Sequence, residues 1–130
     1  MGPFHRWQLR FRRRGNVALE YALILPVLLM FILGIVDTGR VLWTSMTLAR
    51  AVEAAARCGA VNKFKCGTDA QIRNEAVLEA WGLSLSPANF TVIIDSCGKK
   101  VQGTYDFTFI IPFVSLGTRT LTATACYPTA

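Results

Sequence analysis

The feature that most constrains this chain is one long apolar run near its N-terminus. Residues 16–36 read NVALEYALILPVLLMFILGIV, and Glu20 is the single ionisable residue among them. A helix of this length spans about 30 Å, which matches the hydrocarbon core of a bilayer. The apolar part is longer than the core of a secretory signal, and no small-x-small cleavage site follows it. We therefore predict a transmembrane helix at residues 16–36 that stays attached to the rest of the chain.

Positive charge is concentrated in front of this run. The net charge of the chain is +6, but five arginines precede residue 15, and residues 16–130 hold nine basic and eight acidic side chains. Lys and Arg beside a membrane helix stay in the cytoplasm, which predicts a cytoplasmic N-terminus and a C-terminal part outside. Because the body keeps no basic stripe to contact a phosphate backbone, we expect no nucleic acid partner.

The cysteines point to the same compartment. Cys58, Cys66, Cys97 and Cys126 make an even number in a span too short for a large apolar core, which favours disulfides in an oxidising space. There is no C-x-x-C pair, and the sole histidine, His5, is far away in sequence, so we expect no metal.

Two residues inside the apolar run are unusual for a plain anchor. Pro26 lacks the amide hydrogen of a regular helical bond, and a kink is its simplest effect. Glu20 places a carboxyl group in a segment where ionised side chains are costly and often functional, although its position near the helix start softens that cost.

The residues around the start of the run form a more specific pattern. Residues 12–21 read RRRGNVALEY, a basic stretch and a glycine followed by four residues and then Glu-Tyr. This pattern resembles the processing site of a type IVb prepilin. Residues 20–26, 34–40 and 54–60 narrow the resemblance to the TadE-like minor pilins, or pseudopilins, of the tight adherence (Tad) system.

The resemblance implies a processing event and a set of partners. A prepilin peptidase would cut after Gly15 and leave Asn16 as the new N-terminus, while Glu20, Tyr21 and Pro26 would serve assembly. The implied partners are the membrane, the prepilin peptidase, other minor and major pilins and the pilus assembly platform. The implied location is the bacterial inner membrane, crossed once with a periplasmic head, and an extracellular pilus after assembly. No cofactor is implied.

Beyond the membrane segment, the pattern predicts that the helix continues through residues 37–58. Its apolar positions recur at spacings of three and four residues, as an amphipathic helix requires. These positions are Val41, Leu48, Val52 and Ala55. The stripe is suited to packing on its own domain or, alternatively, on a partner helix. Residues 59–67 break the pattern, and Thr68 with Gln71 offers a capping box for a second helix that ends at Gly82, with Ile72, Ala76 and Ala80 buried.

The final third alternates with period two and predicts three strands. The first strand places Phe90, Val92 and Ile94 on one face and ends in a turn at residues 97–100. The inner faces of the second and third strands are Val101, Gly103, Tyr105, Phe107 and Phe109, then Leu121, Ala123, Ala125 and Tyr127. The predicted fold class is α+β: a basic leader at 1–15, a long helix at 16–58, and a head at 59–130 with one helix and a three-stranded antiparallel meander.

The alternation of side chains between the two faces of these strands (strand parity) indicates which cysteines are suited to pair. Cys97 and Cys126 fall on the face opposite the aromatic side chains and at one end of the meander, which favours their pairing and leaves Cys58 for Cys66. The outer strands would lie about 9.5 Å apart, beyond the reach of a disulfide unless residues past the strand ends are used. All three connectivities therefore stay open at this point.

The sequence shows no catalytic constellation. The only histidine lies in the leader, there is no glycine-rich phosphate loop, and Asp95 and Asp106 are expected to be solvated strand residues, so we expect no enzyme. The apolar connection at residues 110–117 either folds back on the core, the preferred interpretation, or docks a partner. The favoured function is a minor pilin that primes assembly or caps the tip of an adhesive pilus. The alternative is an uncleaved single-pass protein with a periplasmic binding or scaffold domain in an envelope secretion complex.

Overall fold

A computed structural model describes residues 4–111 and 117–129 of the chain, with side chains described from Val17 onward. Helix α1 spans Phe4–Val61 and helix α2 spans Asp69–Glu79. After a 3-10 turn at Pro87–Asn89 come strands β1 (Phe90–Asp95), β2 (Gly98–Thr108) and β3 (Thr118–Tyr127). The predicted α+β class, with one long helix, one short helix and a three-stranded sheet, is confirmed.

The described residues divide into two units. The anchor unit contains residues 4–37 together with Ile110 and Ile111, and the head unit contains Thr38–Phe109 together with residues 117–129. The prediction that the connection at 110–117 folds back on the core or docks a partner concerns mainly residues 112–116, which lie outside the described part of the chain.

In the anchor unit, α1 exposes its apolar side chains. The helix continues through Pro26, which has no amide hydrogen, so one backbone hydrogen bond is missing there. Among the described residues, α1 is the one helix long and apolar enough to cross a membrane, and none of its most apolar stretch is buried in the protein. Exposed side chains of this kind are stable only against lipid or against another apolar surface.

In the head unit, the same helix buries a stripe. The residues that are at most 1% exposed are Leu48, Ala51, Val52, Ala55 and Ala56. They recur at spacings of three and four residues, so the amphipathic stripe packs on its own domain. Val41, predicted in this stripe, is half-buried, and α1 ends at Val61 rather than at Cys58.

Helix α2 begins as the sequence predicts and ends earlier. The Thr68 side chain accepts from the Gln71 amide, and the Gln71 side chain accepts from the Thr68 amide, which completes the capping box. Ile72, Ala76 and Ala80 are buried as expected. The helix ends at Glu79 rather than Gly82, because the Ala80 amide donates to the carbonyls of both Ala76 and Val77 and so tightens the last turn. Gly82 adopts a φ of +84° in the turn that follows.

The sheet is an antiparallel meander in the order β1-β2-β3. Most of the predicted inner face is confirmed, with Phe90, Val92, Val101 and Phe107 buried. The residues predicted for the third strand are half-buried, and Phe109 lies just past β2, with its ring edge-on to Phe107 at 5.1 Å between ring centroids. The prediction that Ile94 lies on the inner face is wrong, because this side chain is 80% exposed. It pairs with Lys99 beside the hairpin turn, beyond Val92, the last buried residue of β1.

The hairpin between β1 and β2 also differs from the prediction. The turn consists of Ser96 and Cys97, whereas Lys99 and Lys100 belong to β2 and pair with both neighbouring strands. Gly98 follows the turn with a φ of +121°, which other residues rarely adopt, and this lets β2 start directly after Cys97.

Helix α1 and the sheet approach each other closely at Gly103 of β2. A Cβ atom at this position would lie 2.8 Å from Phe90 Cε1 and 3.0 Å from Val52 Cγ1. The missing side chain therefore lets the helix approach the strands, and the core of the head unit forms around this contact. The same helix also contacts β2 through a cation-π interaction, in which the Arg40 guanidinium is 5.0 Å from the centre of the Phe107 ring.

Candidate assembly site on the N-terminal helix

The predicted processing site lies within the backbone of α1. Gly15 and Asn16 are both helical. A protease binds its substrate in extended form, so access to this peptide bond requires local unwinding of the helix. A glycine inside a helix costs about 0.5–1 kcal/mol relative to alanine, which makes Gly15 a favourable place for such unwinding.

The three predicted assembly residues lie on the exposed part of α1. Glu20 is exposed, and the ring of Tyr21 beside it is 70% exposed. Pro26 follows within the same apolar segment and does not interrupt the helix. The large apolar neighbours of Glu20, Leu19 and Leu23, are 64% and 69% exposed. Glu20 is thus a carboxyl group on an otherwise apolar helix surface, and in apolar surroundings such a group is stabilised by a nearby cation.

A second acidic residue of the anchor unit was not predicted to have a role. Asp37 is 2% exposed, and its Oδ2 atom accepts hydrogen bonds from the amides of Ile110 at 2.8 Å and Ile111 at 3.1 Å. Two backbone donors stabilise a buried carboxylate. Asp37 therefore fixes the chain just after β2 against the end of the apolar segment. The sequence contains one signal for this role, an acidic residue directly after an apolar helix. It does not reveal the hydrogen-bond donors, which lie 73 and 74 residues further along the chain.

The sulfurs form the two pairs that strand parity favoured. Cys58 and Cys66 are bonded with their Cα atoms 5.7 Å apart, and Cys97 and Cys126 are bonded with their Cα atoms 6.3 Å apart. The spacing across three strands is not an obstacle, because Cys97 lies in the turn beyond β1 and so approaches β3.

The acidic residues of the head unit have local roles. Asp95 and Asp106 are exposed, and Asp106 accepts a hydrogen bond from the Thr120 hydroxyl at 2.6 Å. The Ser96 amide, and then the Lys100 ammonium 3.2 Å away, hold the pKa of Asp95 below its usual value. Across the described ranges, no group of three or more His, Cys, Asp or Glu side chains could hold a metal ion.

Together, the fold and this site define a class of protein: a small disulfide-bonded α+β head that follows one exposed apolar helix with a carboxyl group near its start. A comparison with protein families makes the class specific. The family described as TadE-like protein matches residues 15–57, about a third of the chain. Over these residues the chain is similar to TadE-like proteins, a pilus-associated structural family, and this supports its assignment to the Tad system. No curated protein and no solved structure matches the chain.

Proposed function

We propose that this chain is a minor pilin, or pseudopilin, of a Tad-type type IVb pilus. In this proposal it is cleaved after Gly15 and packs through its N-terminal helix with other pilins, to prime assembly or to cap the tip of an adhesive pilus. One observation carries the proposal: the similarity to TadE-like proteins begins at Gly15 and covers the apolar helix and its continuation, but not the basic leader.

The charge distribution supports the proposed orientation and processing. The leader contains five arginines and holds the N-terminus in the cytoplasm, so the head lies in the periplasm, where disulfides form. Cleavage after Gly15 removes these arginines and leaves a body with a net charge of +1. The apolar helix is then free of the charges that tie its end to the cytoplasmic face.

Processing is tested by the intact mass and N-terminal sequence of the protein from membranes of cells with and without prepilin peptidase. We expect a start at Asn16 that reverts to Met1 without the peptidase. A Gly15→Leu variant should keep its leader, whereas Gly39→Ala, a matched control where no other group lies within 4 Å of the added Cβ, should be cleaved normally. A start at Met1 in both strains contradicts the proposal and favours the uncleaved periplasmic binding or scaffold protein of a secretion complex.

The proposal gives Glu20 the role of aligning subunits. Cleavage creates an ammonium group at Asn16, and the Glu20 carboxylate of a neighbouring subunit pairs with it inside the apolar bundle. Each charge alone would lose its hydration there, and pairing offsets part of that cost. The exposure of Glu20 on the described helix supports this role, since the side chain is accessible to a neighbour.

This role is tested by a Glu20→Ala variant, followed by processing and by incorporation into sheared filaments. We expect normal cleavage and a loss of incorporation of roughly tenfold or more, since one unpaired charge in an apolar interface costs several kcal/mol. The matched control is Glu53→Ala, an exposed glutamate of the same helix within the head unit. Wild-type incorporation of a processed Glu20→Ala chain contradicts the role of Glu20.

A further inference from the structure

The loop between α1 and α2 displays an aromatic side chain that the head does not use. Phe64 is 100% exposed, more than any other large apolar side chain described, and Val61 beside it is 73% exposed. Lys63 and Lys65 flank Phe64, and no carboxylate occurs from Ala54 to Thr68. We refer to residues 61–66 as the Phe64 loop.

The backbone of the Phe64 loop is held in place without any contribution from the phenyl ring. The Cys58–Cys66 disulfide closes the loop. Within it, the Asn62 side-chain oxygen accepts from the amides of Phe64 at 3.2 Å and Lys65 at 3.0 Å, and the Cys66 amide donates to the Asn62 carbonyl at 2.9 Å. The loop is therefore preorganised, and a partner that binds it meets a lower cost in conformational entropy.

The two lysines of the loop differ in their contacts. The Lys65 ammonium lies 2.7 Å from Glu75 of α2, which fixes this side chain against the head. Lys63 is exposed and takes part in none of the ion pairs found in the described chain. The outward surface thus combines one aromatic ring with positive charge. A rigid aromatic group surrounded by basic residues is the composition of a binding hot spot.

The loop also occupies one end of the head unit. Within this unit α1 runs from Thr38 to Val61, about 35 Å at a rise of about 1.5 Å per residue. The Phe64 loop begins at the C-terminal end of this stretch of helix.

We propose that the Phe64 loop is the docking site for an acidic protein surface of another subunit of the same assembly. An apolar pocket of that subunit receives the Phe64 ring, and carboxylates at its rim pair with Lys63 and, in part, Lys65. Charge complementarity selects this partner, because the loop offers lysines and no carboxylate. The inference rests on the proposed function, since the partner is a subunit of the proposed pilus.

The experiment uses the full chain with an affinity tag in detergent micelles and, as the probe, filaments sheared from cells that keep the untagged chain, so that filaments form whether the chain primes assembly or caps the tip. Co-sedimentation gives the bound fraction. We expect Phe64→Ala to weaken binding about tenfold or more, as for a hot-spot aromatic residue, and Phe64→Trp to retain most of it. Lys63→Glu should weaken binding through charge repulsion, and added salt should weaken wild-type binding. Ile94→Ala, at a residue that is 80% exposed in the same unit, is the matched control and should bind like wild type.

Four readouts separate the possible causes. Phe64→Ala should melt at the wild-type temperature, since its side chain is fully exposed, and so a loss of binding is not a loss of fold. Equal binding by wild type and Phe64→Ala overturns the docking proposal, as does the absence of wild-type binding. Binding that depends on Phe64 but is reproduced by vesicles with about 30% anionic lipid also overturns it, in favour of a lipid surface. Failure of cleavage at Gly15 in the same strains refutes the proposed function instead.

Discussion

Helix α1 contains two apolar stretches that the protein uses in opposite ways. From Val17 to Val36, almost every side chain faces outward, and Ile35, for example, is 72% exposed. From Leu48 to Ala56, the apolar side chains at helical spacing are at most 1% exposed. The first stretch therefore depends on surroundings that the chain does not supply, whereas the second completes a core that the chain supplies itself.

The two stretches also treat carboxyl groups differently. In the first, Glu20 is exposed on an apolar surface, and the partner that we propose for it comes from another subunit. At the end of the first stretch, Asp37 is buried and is bound by two amides of its own chain. A carboxyl group satisfied within the chain stabilises the fold, and one left on an apolar surface is available for assembly.

The largest expected effect tests this contrast with one substitution made twice in the same helix. Leu48→Ala removes a fully buried side chain and should lower the free energy of unfolding of the head by about 2–5 kcal/mol, through lost burial and a cavity. Leu28→Ala removes a side chain that is 51% exposed and should leave the unfolding of the head unchanged. Thermal and urea denaturation of the full chain in detergent micelles measures both. Equal destabilisation by the two variants would show that the anchor unit contributes to the core of the head.

The disulfides should have the next largest effects, and these should differ in size. Replacing Cys97 and Cys126 with serine opens a loop with a sequence separation of 29, which corresponds to about 3.5 kcal/mol of chain entropy. Replacing Cys58 and Cys66 opens a loop with a separation of 8, which corresponds to about 2.5 kcal/mol. Denaturation of the two double variants measures the difference. The reverse order would mean that the denatured chain is far from a random coil around one of these pairs.

Much of this architecture is predictable from the sequence because the signals are local. The apolar run, the Thr68 capping box and the alternation of the strands each occupy a few neighbouring residues, and each corresponds to an observed element. The alternation of apolar and polar residues also predicts which strand residues form the inner face, since alternate side chains lie on one face of a strand.

The end of α2 and the hairpin turn are mispredicted for local reasons, whereas other features are missed because a distant part of the chain decides the outcome. Parity places Ile94 on the inner face, but it does not say how far along β1 the core extends, and Ile94 lies beyond it. The role of Asp37 depends on amides more than 70 residues away. The pairing of Cys97 with Cys126 required the position of the turn, which was predicted a little too far along the chain. The roles of Gly15 and Glu20 depend on other molecules, and they stay predictions.

A smaller effect is expected at the start of α2, where the capping box acts within the head alone. Thr68→Ala removes the side-chain acceptor for the Gln71 amide and should cost about 1 kcal/mol. Thr68→Ser keeps the hydroxyl and is the matched control, so its unfolding free energy should stay close to that of wild type. Because the helix start carries Ile72 into the core, the loss should also increase hydrogen exchange at the first amides of α2. A loss of several kcal/mol would indicate that the cap positions the neighbouring Cys66 as well.

The smallest effect concerns Asp95 at the exposed hairpin of the head. The Ser96 amide and the Lys100 ammonium favour its charged form, so its pKa is lowered in the folded state. In the unfolded chain the pKa of an aspartate is about 4. The stabilisation is therefore fully present at neutral pH, and it is lost as the pH falls through the lower pKa that Asp95 has in the folded state. Asp95→Asn should slightly lower the melting temperature at pH 7 and have no effect in strong acid. In Lys100→Met, an NMR titration should find the pKa of Asp95 raised but still below its usual value, because the hydrogen bond from the Ser96 amide, the largest single cause, remains. A return to the usual value would make Lys100 the dominant partner.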